Sequence, residues 1–280
     1  MLRQIDRWHF QTGTHYMKEM LLAIWHYRHF IASSVRNDLR SRFARSKLGA
    51  LWMILQPLAQ VAIYSLVLSR IMTAKLPGLD SPYAYSIYLL AGMMGWSLFS
   101  EIITRSLTVF VDNGSMLKKI VFPRVCLPLI TLGSALVNNL LLFLVTVVVF
   151  ILLGHAPTAA LWWMPFLILI TASFALGLGL FLGILNVFVR DVAQFMNVVL
   201  QLWFWLTPVV YMSSIIPPRL RATLALNPMY WIVTDYQDVL VYGRSPVMAA
   251  FLPVGIVAII LLFISLLLFR RSAPDMADVL

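Results

Sequence analysis

Asp112-Asn113-Gly114-Ser115-Met116-Leu117-Lys118-Lys119-Ile120-Val121-Phe122-Pro123-Arg124-Val125-Cys126-Leu127-Pro128 is a short polar, basic island between two long apolar runs. The runs, Tyr85 to Val111 and Val125 to Leu153, each exceed the roughly 20 apolar residues that cross a bilayer as a helix. An island this short is not a domain. It connects two membrane helices, and Lys118, Lys119 and Arg124 assign it to the cytoplasmic side. Asn113-Gly114-Ser115 breaks the incoming helix, and Pro123 marks the start of the next. Between them, Met116 to Phe122 has room for about two helical turns, with apolar residues on both sides of the lysine pair. Two readings fit the residues: a solvated loop that anchors the protein at lipid head groups, or a helical knob that docks into a cytoplasmic partner.

The composition of the whole chain agrees with a membrane protein. Its 280 residues are 61% hydrophobic and 11% charged, against about 25% charged in soluble domains. The apolar runs are continuous rather than alternating, which excludes the strands of a membrane barrel. The expected class is an all-α integral membrane protein. A formal charge of +10 is explained by basic cytoplasmic flanks beside anionic lipid, not by nucleic acid. The single cysteine, Cys126, excludes an intramolecular disulfide and a thiol-rich metal site. The first long apolar run begins near Leu48, too late for a cleavable signal peptide.

Residues 1–47 contain no span. Met17, Met20, Leu21, Ile24, Tyr27 and Ile31 follow helical spacing, with Lys18, Glu19 and His26 off that stripe, which predicts an amphipathic helix in the membrane interface. His26 and His29 read as interfacial histidines, since no third ligand has matching spacing. Arg36, Arg40, Arg42, Arg45 and Lys47 form a dense basic connector. Six spans follow, at about 48–72, 82–111, 125–153, 161–189, 192–211 and 247–269. Together, 48–271 read as one transmembrane domain, with a cytoplasmic loop at 112–124, an outer segment at 213–246 and a cytoplasmic tail at 272–280. The first span carries Trp52 and a kinking Gln56-Pro57. The second holds Glu101 and Arg105 one turn apart, either a self-satisfied pair or a polar lining. The fourth has Gly179 and Gly183 as a small-xxx-small packing face, and Arg190-Asp191 is a very short inner turn. The outer segment opens with Pro217-Pro218 and breaks at Asn227-Pro228. It predicts two short helices, about 219–226 and 229–241, too short to cross and therefore re-entrant or lying on the outer face. Fifteen of the 21 lysines and arginines fall on proposed inner segments and five on outer ones, with Arg105 inside a span. That asymmetry places both termini in the cytoplasm.

Catalytic chemistry is missing from the pattern. The sequence has no HExxH, no nucleophile triad spacing and no Gly-Lys dipeptide, so it has no phosphate-binding loop of the GxxxxGK[ST] type. If the chain pumps, the energy comes from another polypeptide.

Five motifs then converge. They are Ser46-Lys47-Leu48-Gly49-Ala50-Leu51-Trp52 with Gln56-Pro57-Leu58; Leu117-Lys118-Lys119-Ile120-Val121-Phe122-Pro123-Arg124 with Leu127-Pro128; Arg190-Asp191-Val192; Thr207-Pro208-Val209-Val210-Tyr211; and Asn227-Pro228-Met229. In this order and over nearly the whole chain, they resemble the ABC-2 type permeases that export polysaccharides. The likeness is strongest to permeases of O-antigen export systems, with capsule and wall teichoic-acid exporters as relatives. The family often carries an arginine shortly after the Asn-Pro pair. Gln237 stands there, so no residue here matches that arginine's outer-gate role.

The resemblance implies a homodimer in the bacterial inner membrane, with two copies of a separate cytoplasmic ATPase that binds ATP and Mg; this chain itself holds no cofactor. It implies export of an undecaprenyl-diphosphate-linked polysaccharide through a channel at the dimer interface. ATPase coupling is then expected at Met116, Leu117, Lys118, Lys119, Ile120, Arg190 and Asp191. Arg40, Arg42, Arg45 and Lys47 either recruit the lipid diphosphate or anchor the basic flank. Trp52, Glu101, Arg105, Trp203 and Tyr211 are candidates for the substrate path, and Arg219, Arg221, Tyr230, Trp231 and Asp235 for an outer gate. Trp203 and Trp205 lie about 200° apart on a helix. Trp203 shares a face with Thr207 and is expected at the channel, and Trp205 is expected to face lipid or a neighbouring helix. Other occupations for the same sequence are a drug- or lipid-exporting ABC-2 permease and a non-transport scaffold of a glycan synthase complex.

Overall fold

The computed structural model describes residue 22 and residues 24–43, 47–48, 51–63, 83–115, 123–212 and 216–279. The amphipathic stretch expected up to residue 21, the latter part of the first expected span and the Met116 to Phe122 segment lie outside the described residues. Among the described residues there are nine α-helices and one 3-10 helix, and no strand. They are α1 (Arg28–Phe43), α2 (Trp52–Ile63), α3 (Ala84–Asp112), α4 (Cys126–Leu152), the 3-10 helix (Ala159–Trp163), α5 (Met164–Phe188), α6 (Asp191–Trp205), α7 (Pro218–Leu224), α8 (Pro228–Leu240) and α9 (Met248–Val279).

Four helical stretches are long and apolar enough to cross a membrane: α3, α4, the 3-10 helix running into α5, and 248–272 of α9. The all-helical integral membrane class read from composition therefore holds. α6 is shorter than its expected span and stops at Trp205 after 15 residues. The cause is Pro208, which has no N–H to give to the helix and disfavours helical geometry at Thr207. α9 is longer than expected: it does not end at Arg270-Arg271 but continues for 32 residues in all. Arginine is a good helix former, so the pair ends the apolar stretch and not the helix. α1 also differs from its forecast. The stretch read as a basic connector is helical through Arg36 and Arg40, and both arginines lie on the exposed face.

α3 is the centre of the bundle. It packs against α4, α5, α6 and α8, and its first half is buried apart from Met93 and Ser97. α5 lies between α3 and α9 with very close backbones. A Cβ on Gly177 would meet the Leu262 backbone nitrogen at 2.8 Å, and one on Gly179 would meet Ser106 Cβ at 2.8 Å. A Cβ on Gly183 would run into the Ser106 carbonyl oxygen. The small-residue face read from Gly179 and Gly183 is thus the seat of α3. α4 and α9 are mostly unburied, with Leu144, Val148, Ile259 and Ile260 exposed. Phe110 and Phe269 stack at 5.6 Å and tie α9 to the last turn of α3.

Gly183→Val should be strongly unfavourable, because the new side chain meets backbone and not a movable side chain. The expected loss is ~1–3 kcal/mol, the usual cost of overpacking. Thermal unfolding in detergent checks it, with Leu185→Val on the exposed side of the same helix expected to behave like the parent.

Candidate functional site

At the Asp112 end of the bundle, Asn186 joins two elements. Its Nδ2 donates to Leu107 O at 2.8 Å and its Oδ1 accepts from Ala193 N at 3.0 Å, so the Arg190-Asp191 turn is pinned to α3. Arg190 and Asp191 are exposed there, and Asp191 in the first turn of α6 suits the positive end of that helix. Met116, Leu117, Lys118, Lys119 and Ile120, expected beside them, lie outside the described residues. So does Arg45. Arg40 and Lys47 are exposed and Arg42 belongs to α1.

Glu101 and Arg105 do pair, at 3.6 Å across one turn of α3. The pair is not self-contained. Arg105 Nη2 donates to Asp38 Oδ2 on α1 at 2.7 Å, and Asn138 Nδ2 on α4 donates to Glu101 Oε1 at 2.8 Å. This chain of contacts links α1, α3 and α4 at the edge of a cleft of about 740 Å³ lined by Ser34, Asn37, Asp38, Ser41, Thr108 and Asp112, among others. Neither Asp38 nor Asn138 stood out in the sequence. Asn138 had a readable signal, a polar amide inside an apolar run, which calls for a partner in a dry setting.

The other end of the bundle is organised by the break after α6. Residues 206–211 leave helical geometry, yet Thr207, Pro208 and Val209 are buried. Buried carbonyls need donors, and side chains from α3, α8 and the N-cap of α8 supply them. Asn227 Nδ2 donates to Leu206 O at 3.4 Å and to Thr207 Oγ1 at 3.0 Å. Gln237 Nε2 donates to Pro208 O at 2.9 Å. Tyr85 donates to Val210 O at 2.5 Å and Tyr88 to Tyr211 O at 3.4 Å. Asn227 is the junction: its Oδ1 also caps α8 by accepting from Met229 N at 3.0 Å, and it accepts from Trp203 Nε1 at 2.8 Å.

These contacts decide where the expected residues sit. Trp203 is turned into the chain's own interior, edge-on to Phe99 at 5.1 Å, while Trp205 is 63% exposed. Within this chain Trp203 points inward, because its Nε1 finds its acceptor there, and Trp205 points outward. Tyr211 donates to Trp205 O at 2.9 Å and stays beside it. Trp52 is exposed on α2, the helix that packs on α4. The five outer candidates divide between α7 and α8. Arg219 and Arg221 are exposed on α7, with Arg221 Nη2 donating to Ile216 O at 3.2 Å. Trp231 donates to Ala225 O at 2.8 Å, and Tyr230 and Asp235 are buried. The apolar stripe Met229, Ile232, Val233, Tyr236 and Leu240 faces the bundle, and Tyr236 lies on Gly95, whose Cβ would sit 3.0 Å from the ring.

An all-helical integral membrane protein with exposed turns at one end and a side-chain-braced break at the other is built for passage or coupling across a bilayer. Comparison with known proteins names the family. The model for ABC-2 type transporters matches residues 29–241, and the chain belongs to that family. It is 28% identical over 268 residues to the O-antigen export system permease protein RfbA of Myxococcus xanthus, covering 94% of this chain and 99% of that one. A Klebsiella pneumoniae protein described in the same words is 30% identical over 211 residues, 74% of this chain and 78% of its own length. The polysialic acid transport protein KpsM of Escherichia coli is 23% identical over 252 residues, 85% and 92% of the two chains.

Asp235 makes the outer segment pH-dependent. Burial pushes its carboxyl up to about 7, against the lowering effect of the Val247 amide that it accepts from and with a small rise from Asp238. The folded state then holds a proton that the unfolded state has already released, so stability falls as pH rises from about 4 to about 7. Asp235→Asn keeps an acceptor for Val247 and has no proton to lose. Its melting temperature relative to the parent should be more favourable at pH 8 than at pH 5, and an equal offset at both values would contradict the assignment.

Proposed function

We propose that this chain is the membrane permease of an ABC exporter that moves a lipid-linked polysaccharide, of O-antigen type, from the cytoplasmic to the outer face of the bacterial inner membrane. The observation that carries the reading is the match over almost the full length of both chains to an O-antigen export permease. Two copies form the channel, and two copies of a separate ATPase, holding ATP and Mg, drive it. A capsule glycan is the second reading, favoured by the match to the polysialic acid transport protein.

Six spans with both termini inside remain the arrangement that suits the basic residues. α2 forms part of the first span. α6 together with the braced 206–211 segment forms the fifth, since α6 alone covers only ~22 Å at 1.5 Å per residue. The position of α8 supports re-entrance: it meets α3 at Gly92 and Gly95, and Gly95 lies ~16 Å along α3 from Ala84. The inner turn Arg190-Asp191 and the segment Met116 to Ile120 receive the ATPase. The basic run Arg40 to Lys47 meets the lipid diphosphate. Trp205, exposed beside Tyr211, replaces Trp203 as the aromatic offered to a second copy or to passing sugar rings. Arg219 and Arg221, with Tyr230, Trp231 and Asp235 behind them, form the outer gate segment.

Deleting the gene should abolish surface polysaccharide, and plasmid-borne permease should restore it. Replacing Leu117 and Ile120 together with Asp should leave the permease in the membrane at normal abundance but lose the copurifying ATPase. Trp205→Ala should lower surface glycan at unchanged abundance, whereas Trp203→Ala should act through lower abundance. Retained ATPase with the double Asp variant would rule out the docking role.

A further inference from the structure

α1 lies along α4 and packs on it without burying a side chain completely. None of its described side chains is buried, and its inward ridge, Phe30, Ile31, Ser34, Val35, Asp38 and Leu39, is only half-buried. Two contacts fix its position. Val35 sits in a notch on α4 made by Gly133, where a Cβ would lie 2.8 Å from Val35 Cγ2. One turn on, Asp38 takes the Arg105 guanidinium at 2.7 Å.

Arg105 has two carboxylates within reach, at unequal distances. Nη2 is bonded to Asp38, while Nη1 makes no hydrogen bond and lies 3.6 Å from Glu101 Oε1. Pulling Asp38 away from a half-buried arginine would ordinarily strand a charge. Here Glu101 is on the same helix one turn back, already oriented, and closes that gap by a small side-chain rotation. The released Asp38 carboxylate is not stranded either, because it borders the polar cleft of about 740 Å³. Both charges therefore have a partner or water in either position of α1, and an equilibrium between two discrete arrangements is what coupling between distant sites requires.

We infer that Asp38–Arg105–Glu101 is a two-position latch: α1 lifts off α4 during each transport cycle, Arg105 passes from Asp38 to Glu101, and Asp38 is the residue that positions α1 for the return. This rests on the ATPase-driven reading given above. The latch differs from a static ion pair in one respect: the Val35–Gly133 seating has to open.

A disulfide tests that directly. The Cβ of a residue at 133 would lie 3.9 Å from Val35 Cβ, within the about 3.5–4.5 Å that disulfides span. The pair Val35→Cys and Gly133→Cys is placed in a Cys126→Ser background, and the intact permease–ATPase complex is put into liposomes with polyprenyl-diphosphate-linked glycan. The cross-link is expected to form without nucleotide. Glycan transport should fall severalfold in the oxidised form and return on reduction, while ATP hydrolysis continues. Equal transport by fully oxidised and reduced complex overturns the latch, and so does failure of the cross-link to form. Absence of transport from the Cys126→Ser parent itself would instead count against the transport reading. As a second measure, Asp38→Asn should lower glycan moved per ATP consumed and Asp38→Glu should restore it; an unchanged ratio in Asp38→Asn removes Asp38 from the mechanism.

Discussion

The carbonyl oxygens of the segment from Leu206 to Tyr211, whose middle is buried, need donors. A helix would satisfy them internally, but Pro208 prevents one. The chain meets the requirement by bringing in side chains: Asn227 and Gln237 from the outer segment, Tyr85 and Tyr88 from the start of α3. Each donor fixes a neighbour as well. Asn227 aligns the start of α8 with the end of α6 and orients Trp203 inward. Gln237 requires α8 to lie deep enough to reach Pro208, and Gly92 is the residue that leaves it room, since a Cβ there would come within 2.7 Å of the Gln237 amide. The depth of α8, the inward turn of Trp203 and the outward turn of Trp205 follow from one set of unsatisfied backbone groups.

Much of the architecture was legible because the physical signals are long and continuous. Apolar runs of the right length gave α3, α4, α5 and the apolar part of α9. Pro217-Pro218 and Asn227-Pro228 gave α7 and α8 to within two residues. The glycine pair on α5 predicted close packing, and α3 is indeed what it packs against. What was not legible depends on pairing between distant residues. Asp38 looks like an ordinary polar residue on an interfacial helix until Arg105, 67 positions later, is seen beside it. The orientation of Trp203 was illegible for a related reason. Helical spacing shows that Trp203 and Trp205 face opposite ways, but which way is outward depends on Asn227, 24 positions away. The segment Met116 to Phe122, from which the reading of the sequence started, lies outside the described residues, so the roles expected of it rest on the resemblance.

Gln237 shows how a departure from a family pattern can keep a structural task. It is buried on α8 and its amide donates to the broken segment. An uncharged amide does this without placing a cation in the interior, where it would need a counter-ion. The nearby carboxylates are already engaged, Asp235 with the Val247 amide and Asp238 with the Arg244 charge. The segment is therefore braced at that position without a positive charge.

The glycine contacts of α5 also determine where this molecule is stiff. Gly177 lies against the Leu262 backbone and Gly183 against the Ser106 carbonyl, so at these points α5 touches α9 and α3 main chain to main chain. Side chains can adapt by changing rotamer; apposed backbones cannot slide or tilt without collision. This trio behaves as a single incompressible strut, and the compliance of the chain is left to the elements around it. α1 rests on α4 through a notch and one shared guanidinium, while α6 ends at a break held by side chains. Shape change in this protein is therefore peripheral by construction, and it is divided between the two ends of a rod that does not itself bend.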